Sequence, residues 1–401
     1  MKKLSVSLIS LLLSLHVFSQ TLTVGDKIPA LSLDNCILPG SPNLVVKNVS
    51  LQNFSGKMII LDFWATWCGP CISSMPKLEM LQKQYPDKLQ VIGVTHEAVK
   101  RIQKFAQNRP VGFMLAVDTA STLRRYFEYR TIPHVVIIDG TGTIKAITNS
   151  ENVTEEAISN LLLGKEVSLP LKKDRADFDF AKTDYFDADP NTKESFNVQG
   201  AFEGVGSMSK AGSGVFEKRR ISMINFTIDG LYRTAYNVSY YRTILEFDKK
   251  LVEYKNPKNK FCVDVIAPTA GEELYTYMQQ QLPKYFEIKA RWERKKMPVT
   301  ILKRTQTPLK IESSTEQSDY YGGSGNHFNG VGVKVSSLAE YLESFGITDT
   351  PVLDETNVSG RYNIQFEWQP EKKGHMEEVF RNAGFELVKE EREIDVLVLY
   401  R

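Results

Sequence analysis

Cysteine and histidine are scarce in this sequence, four and five residues among 401, and that scarcity limits the metal chemistry open to it. A closed structural zinc site takes four ligands drawn from these residue types. Only Cys68 and Cys71 are close neighbours. Cys36 and Cys262 stand alone, and His16, His96, His134, His327 and His375 are scattered with no second CxxC and no HxxxH, so no metal site is expected. Net charge is lacking too: 50 basic residues against 48 acidic ones leave +2, which gives no reason to expect nucleic acid as a partner. Past the first twenty residues, no apolar run is long enough to span a bilayer. The glycine-rich stretch from Gly322 to Gly332 lacks the lysine and the strand context of a phosphate loop and reads as a flexible loop. Asp174, Asp177, Asp179, Asp184, Asp187 and Asp189 alternate with Phe178, Phe180, Tyr185 and Phe186. They do not follow the calcium-loop pattern of a central glycine and a final glutamate, so the stretch reads as a linker that docks in places.

What the chain does have begins with Met1-Lys2-Lys3 and the apolar run Leu4 to Phe18, closed by Ser19-Gln20. A charged start, a short apolar core and no acidic residue make a secretory signal over residues 1–20, with an uncleaved membrane anchor as the alternative. Export, to a bacterial periplasm, fits a chain that uses cysteine as a pair, because disulfides persist outside the cytosol.

Trp67-Cys68-Gly69-Pro70-Cys71 carries the chemistry. The apolar run Met58 to Trp64 before it predicts a buried strand, and Ile72, Met75, Leu78 and Leu81 after it are spaced as one helix face. Cys68 therefore falls at a strand-to-helix turn. There the helix dipole and unpaired N–H groups favour an anion, drawing a thiol below the roughly 8.5 of free cysteine. Cys68 is the expected nucleophile. Cys71, one turn inside the helix, is the expected resolving thiol, which attacks a mixed disulfide on Cys68 and releases the partner.

From residue 21 to 164, short β-branched runs alternate with amphipathic stretches, the pattern of a sheet with helices on its faces. Strands are expected at 58–64, 90–95, 112–117, 134–139 and 143–147, and helices at 70–84, 97–108, 119–127 and 153–163. Asp139-Gly140-Thr141-Gly142 predicts a hairpin turn between the last two strands.

The sequence Phe63 to Cys71, followed by Met75-Pro76 and later by Thr131-Ile132-Pro133, resembles the thioredoxin superfamily, and within it the exported TlpA/ResA group. The resemblance covers about the first third of the mature chain. It implies a thioredoxin-like α/β fold, a central mixed sheet flanked by helices, with a redox-active Cys68–Cys71 disulfide and no other cofactor. It implies a cis Pro133 beside that disulfide, with the backbone of Ile132 pairing with an extended partner segment, and Trp67, Gly69 and Pro70 forming the rim that positions it. Pro76 would kink the helix. Asp62 matches a buried aspartate that takes the proton from the resolving thiol, or is a plain strand-end carboxylate. Glu97 matches an acidic residue near the redox pair, or is an acid that the dipole favours in a first helical turn. His134 would tune the thiolate by its charge or bond to a neighbouring strand. Ser74 departs from the acidic residue common before the Met-Pro pair, which bears on substrate choice. Cys36 and Cys262 are expected as free buried thiols.

Residues 165–194 read as the linker, and 195–401 as two loosely repeated α+β units. In the first, 261–265 precedes a helix at about 271–282 and then a hairpin of 286–288 with 299–302. In the second, 362–366 precedes a helix at about 374–383 and then a hairpin of 385–387 with 396–399. Helices at 228–236 and 337–345 precede the units. Val358 to Asn363 and the strand Val396 to Leu399 resemble an uncharacterised domain of soil bacteria, from which no established activity carries over, and with no catalytic constellation in it this half is expected to be a binding or docking module.

Together these readings predict an exported thiol:disulfide oxidoreductase, an enzyme that reduces envelope protein disulfides. Its partners would be protein thiols and disulfides in the cell envelope and a membrane electron donor of the thioredoxin-reducing type. Gly-Pro between the cysteines, as in reducing thioredoxins, favours that direction. Two alternatives stand beside it. One is an envelope interaction protein whose second half carries the main function. The other is a peroxiredoxin-like peroxidase, which calls for a threonine-flanked cysteine in a proline-rich loop.

Overall fold

The computed structural model describes residues 21–175 and 178–401. The signal sequence expected at 1–20 lies outside the described residues, as does Asp177. The first body is built from β1 (Ser32–Leu38), β2 (Ser41–Ser50), β3 (Met58–Phe63), α1 (Gly69–Gln84), β4 (Leu89–Thr95), α2 (Val99–Asn108), β5 (Met114–Val117), α3 (Thr122–Tyr126), β6 (His134–Ile138), β7 (Ile144–Thr148) and α4 (Glu155–Leu162). Its seven strands lie in the order β2-β1-β5-β4-β3-β6-β7. β3 runs parallel to β4 and antiparallel to β6, and Asp139 to Gly142 closes the antiparallel β6–β7 pair.

The side-chain period of two sorts the central run into two cores. Ile60 and Trp64 pack with Cys71, Met75, Leu78 and Leu81 under α1, while Ile59, Leu61 and Phe63 pack with Phe127 and Val136 on the other face. Asp62 has the parity of Ile60 and Trp64, so its carboxyl enters the α1 core. Gly93, paired with Asp62 on β4, has no room for a side chain: a Cβ would lie 3.0 Å from the indole nitrogen of Trp64.

The segment around Cys36, which local composition makes a loop, is the β1–β2 hairpin. β1 pairs with both β2 and β5, which places Cys36 inside the sheet rather than in a loop. Local composition hides this because Pro39-Gly40 and Ser41-Pro42-Asn43 are turn-formers, whereas the pairing of β1 with β5 is long-range.

Residues 165–194 form no helix or strand among those described, and they dock. Lys172 N–H donates to the Ile147 carbonyl at 2.9 Å, and Phe178, Phe180 and Phe186 bury themselves against Ile224 and Cys262.

The second body contains β8 (Ser195–Gly200), β9 (Met208–Ala211), β10 (Arg220–Phe226), α5 (Ile228–Tyr236), β11 (Thr243–Glu246), β12 (Phe261–Ile266), α6 (Glu272–Phe286) and β13 (Lys289–Arg304). The same succession then recurs as β14 (Glu312–Ser313), β15 (Tyr321–Ser324), β16 (His327–Val333), α7 (Val335–Ser344), β17 (Val352–Asp354), β18 (Tyr362–Glu367), α8 (His375–Asn382) and β19 (Phe385–Tyr400). The sheets match element for element, β8-β12-β10-β9 against β14-β18-β16-β15. A third sheet, β11-β19-β13-β17, exchanges strands between the repeats, since β11 of the first pairs with β19 of the second and β17 with β13. The cores interlock accordingly: Leu397 and Leu399 close the first repeat's core, and Leu302 closes the second's.

Two expectations fail here. Neither repeat ends in a hairpin: β13 and β19 are continuous strands of 16 residues, paired from Lys289–Tyr400 to Arg304–Phe385. The charged middle of each resembles a turn locally, but its backbone groups are satisfied by a strand almost a hundred residues away in sequence. The glycine-rich stretch is likewise the β15–β16 hairpin. Its glycines answer to close packing: a Cβ on Gly323 would lie 2.5 Å from the Tyr341 ring, and one on Gly330 would lie 2.6 Å from Val333.

Candidate functional site

Helix α1 begins directly at the cysteine pair. Cys68 is its N-cap, with the sulfur accepting the Cys71 N–H at 3.3 Å, and Pro70 lies in the first turn, where no N–H is needed. Cys68 and Cys71 form a disulfide. Trp67, Gly69 and Pro70 are exposed around it, whereas Cys68 is 5 % exposed and Cys71 is fully buried. Access therefore ranks the two sulfurs, with Cys68 the outer one. The Ile132–Pro133 bond is cis, and Ile132 packs on the core that contains both cysteines. Ile132, distant in sequence from Trp67 to Pro70, thus packs on the same core as the cysteines.

Asp62 is completely buried, and neither carboxyl oxygen has a hydrogen-bond partner among the described residues. Burial pushes its pKa from 3.8 up to about 7, and the positive charge of Lys77 pulls the other way. Lys77, on α1, donates to the Ser150 carbonyl at 2.6 Å, and burial holds its own pKa below the ordinary lysine value. Sequence reasoning missed Lys77; it follows Pro76 and carries no signal beyond its helical position.

Glu97 lies outside the first turn of α2, which starts at Val99. Its carboxylate accepts the Thr66 N–H at 2.6 Å and the Thr66 hydroxyl at 2.8 Å. Glu97 thereby holds the turn that presents Trp67 and Cys68. Glu97→Ala would leave the buried Thr66 N–H without a partner, and we expect a loss of about 1–3 kcal/mol of stability by denaturant unfolding. Glu97→Gln, which keeps one acceptor, is expected to lose less.

His134 does neither of the things expected of it. Burial and the nearby Lys172 charge drive its pKa down to about 3, so it is neutral near pH 7, and neither ring nitrogen has a partner among the described residues. The ring instead stacks on Tyr129 at 5.0 Å and meets Phe63 edge-on at 5.4 Å. Ser74, in place of an acid, turns its hydroxyl onto the Cys71 carbonyl at 2.7 Å. Cys36 and Cys262 are both free and buried. Burial, with Asp34 adding repulsion, pushes Cys36 up to about 12, and burial raises Cys262 as well. Neither is a reactive thiolate. Among the described residues no cluster of His, Cys, Asp or Glu is placed to hold a metal ion, and no helix is long and apolar enough to cross a membrane.

Residues 24–147 match the AhpC/TSA family. The first body is a thioredoxin-like domain. Residues 246–399 match a second family, described as a protein of unknown function (DUF3738). That match starts at the end of β11, inside the first repeat. The thioredoxin-like protein YneN of Bacillus subtilis is 36% identical over 102 residues, which span 24% of this chain and 59% of that protein. The thiol-disulfide oxidoreductase ResA of Bacillus thuringiensis is 28% identical over 123 residues, 29% of this chain and 71% of the relative. Among solved structures, the thioredoxin domain of a thiol-disulfide oxidoreductase from Bacteroides vulgatus aligns with 36% of this chain and 98% of its own, at 21% identity and a TM-score of 0.29. The thioredoxin-like domain of this protein thus has named thiol-disulfide oxidoreductases among its relatives, and most of its second half matches a family of unknown function.

Proposed function

We propose that this protein is an exported thiol:disulfide oxidoreductase that reduces protein disulfides of the cell envelope, with residues 21–164 as the redox domain, 165–194 as the linker and 195–401 as the accessory body. The observation that carries the reading is the Cys68–Cys71 disulfide at the start of α1, with one sulfur at the rim and the other buried on the side of an unpartnered Asp62. In the reduced protein, the Cys68 thiolate attacks a substrate disulfide. One substrate sulfur bonds to Cys68 and the other leaves as a thiolate that takes up a proton. Cys71 then loses its proton to the Asp62 carboxylate, whose anionic form the Lys77 charge favours, and attacks the Cys68 sulfur. The second substrate sulfur leaves, two electrons have passed to the substrate, and the enzyme is oxidised. Trp67, Gly69, Pro70, Ile132 and Pro133 orient the substrate, and Glu97 positions the Trp67-Cys68 turn. A membrane donor of the thioredoxin-reducing type returns the electrons.

A redox titration against glutathione with thiol trapping tests this. We expect a reversible two-electron couple confined to Cys68 and Cys71, near the about −270 mV of thioredoxin. A potential near about −120 mV would instead make the protein a disulfide donor. Absence of a reversible couple would shift the weight to an envelope interaction function of the second body. The peroxidase reading is less favoured, because a CxxC disulfide leaves no separate peroxidatic loop.

A further inference from the structure

The second body does not stand apart from the redox pair. Its β15–β16 turn, Ser324 to His327, lies on the backbone of Trp67: a Cβ on Gly325 would be 3.2 Å from the Trp67 carbonyl oxygen. The turn is held in shape from behind. The Trp368 N–H donates to the Asn326 carbonyl at 2.9 Å, and the Tyr341 hydroxyl reaches the carbonyls of Ser324 and His327. Just after Trp368, the chain is latched to α2. Asn108 donates to the Gln369 side chain at 2.8 Å, and Arg101 makes a two-pronged pair with Glu371 at 2.6 and 3.0 Å. Arg101 and Asn108 are seven residues apart, two turns along one helix face. The Glu371 side chain is 3 % exposed and that of Arg101 is 15 % exposed, so solvent screens the pair weakly.

The segment leading into the cis proline is covered as well. Asp174 accepts the N–H groups of Arg130 at 2.8 Å and Thr131 at 3.1 Å, and Lys172 donates to the Thr131 carbonyl. The Arg175 N–H ties this segment to the Gly204 carbonyl at 2.7 Å, and Gly206 faces the Thr131 methyl. Trp67, beside Cys68, and Thr131, just ahead of the cis proline, are therefore both flanked by residues from beyond the thioredoxin-like domain.

We propose that the second body forms the walls of the entrance to Cys68 and acts as a size filter, with the Arg101–Glu371 latch fixing its width. Disulfides on small molecules or slender extended segments enter, and disulfides on compact proteins are excluded while the latch is closed. This rests on the oxidoreductase reading and adds a substrate class to it. Arg101, Glu371 and Gly325 are then positioning residues for specificity and take no part in the sulfur chemistry.

The test uses the full chain, reduced and freed of reductant, with hydroxyethyl disulfide as the small substrate and insulin as the compact one. Arg101→Glu sets two carboxylates against each other and opens the latch. The insulin rate should rise at least about tenfold, equivalent to about 1.4 kcal/mol in favour of the open state, while the small-disulfide rate stays unchanged. The exchanged pair, Arg101→Glu with Glu371→Arg, should bring the insulin rate back toward the parent's. An unchanged ratio of the two rates in Arg101→Glu overturns the filter. Failure of the reduced parent to react with either substrate overturns the oxidoreductase reading instead. A second measurement needs no variant: Cys68 of the reduced parent should be alkylated by N-ethylmaleimide far faster than by a maleimide carried on a small globular protein. Equal relative reactivity of a freely accessible control thiol and Cys68 toward the two reagents would also overturn the filter.

Discussion

Cys68→Ser is expected to lower disulfide exchange by about a thousandfold or more, to the background of the uncatalysed reaction, as when an enzyme loses its nucleophile. Cys71→Ser should fail in a different way. Its Cys68 is retained at the N-cap of α1, where the dipole still favours a thiolate, so the first attack proceeds and the product accumulates as a mixed disulfide. The two variants are therefore separable by mass spectrometry after a single turnover with a model disulfide: the Cys71→Ser protein gains the mass of the substrate half, and the Cys68→Ser protein gains nothing. The asymmetry follows from access, since Cys68 is at the rim and Cys71 is buried in the first turn of α1. Cys36 and Cys262 offer no substitute nucleophile, because both are buried with raised pKa values. Retained turnover in Cys68→Ser would sink the assignment of the reaction to this pair.

Local signals revealed the redox pair because its parts are local: a buried strand, a CxxC at a turn, and an apolar helix stripe follow one another from Met58 to Leu81. The duplication was legible for the same reason, since a strand followed by a helix repeats its own hydrophobic period. What the sequence concealed depends on distant partners. β13 and β19 each read as two short strands because the charges between them resemble a turn until their ladder is seen. Arg101 and Glu371 are 270 residues apart and, by themselves, are ordinary surface-type residues. Asp174 belongs to an acid-rich stretch in which nothing distinguishes it from its neighbours, yet it accepts the backbone N–H groups of Arg130 and Thr131, just ahead of the cis Ile132–Pro133 bond. The neutral state of His134 is not legible locally, because it depends on burial and on Lys172, neither of which adjoins it in sequence.

The buried carboxyl of Asp62 should impose opposite pH dependences on stability and on rate. Its pKa stands at about 7 in the folded protein against 3.8 for the free group, because burial penalises the anion more than Lys77 favours it. Between those two values the folded chain holds a proton that the unfolded chain has released. Fewer protons are bound in the unfolded state, so stability falls as pH rises from about 4 to 7, by about 4 kcal/mol, and no further loss from this group follows above 7. Rate runs the other way. Only the carboxylate accepts the Cys71 proton, so release of the mixed disulfide should accelerate as pH rises through about 7 and then level off. Asp62→Asn removes the ionisation while keeping the shape. We expect it to slow the release step by about a hundredfold near pH 8, the usual scale of general base assistance, and to flatten both profiles. Chemical unfolding across pH 4 to 8 and stopped-flow release of a mixed disulfide measure the two effects on one pair of proteins. Lys77→Met should push the midpoint of both profiles higher by removing the one charge that favours the anion. A rate profile in Asp62→Asn that still rises through pH 7 would assign the proton transfer to another group, and a stability slope that survives the substitution would show that Asp62 ionises normally.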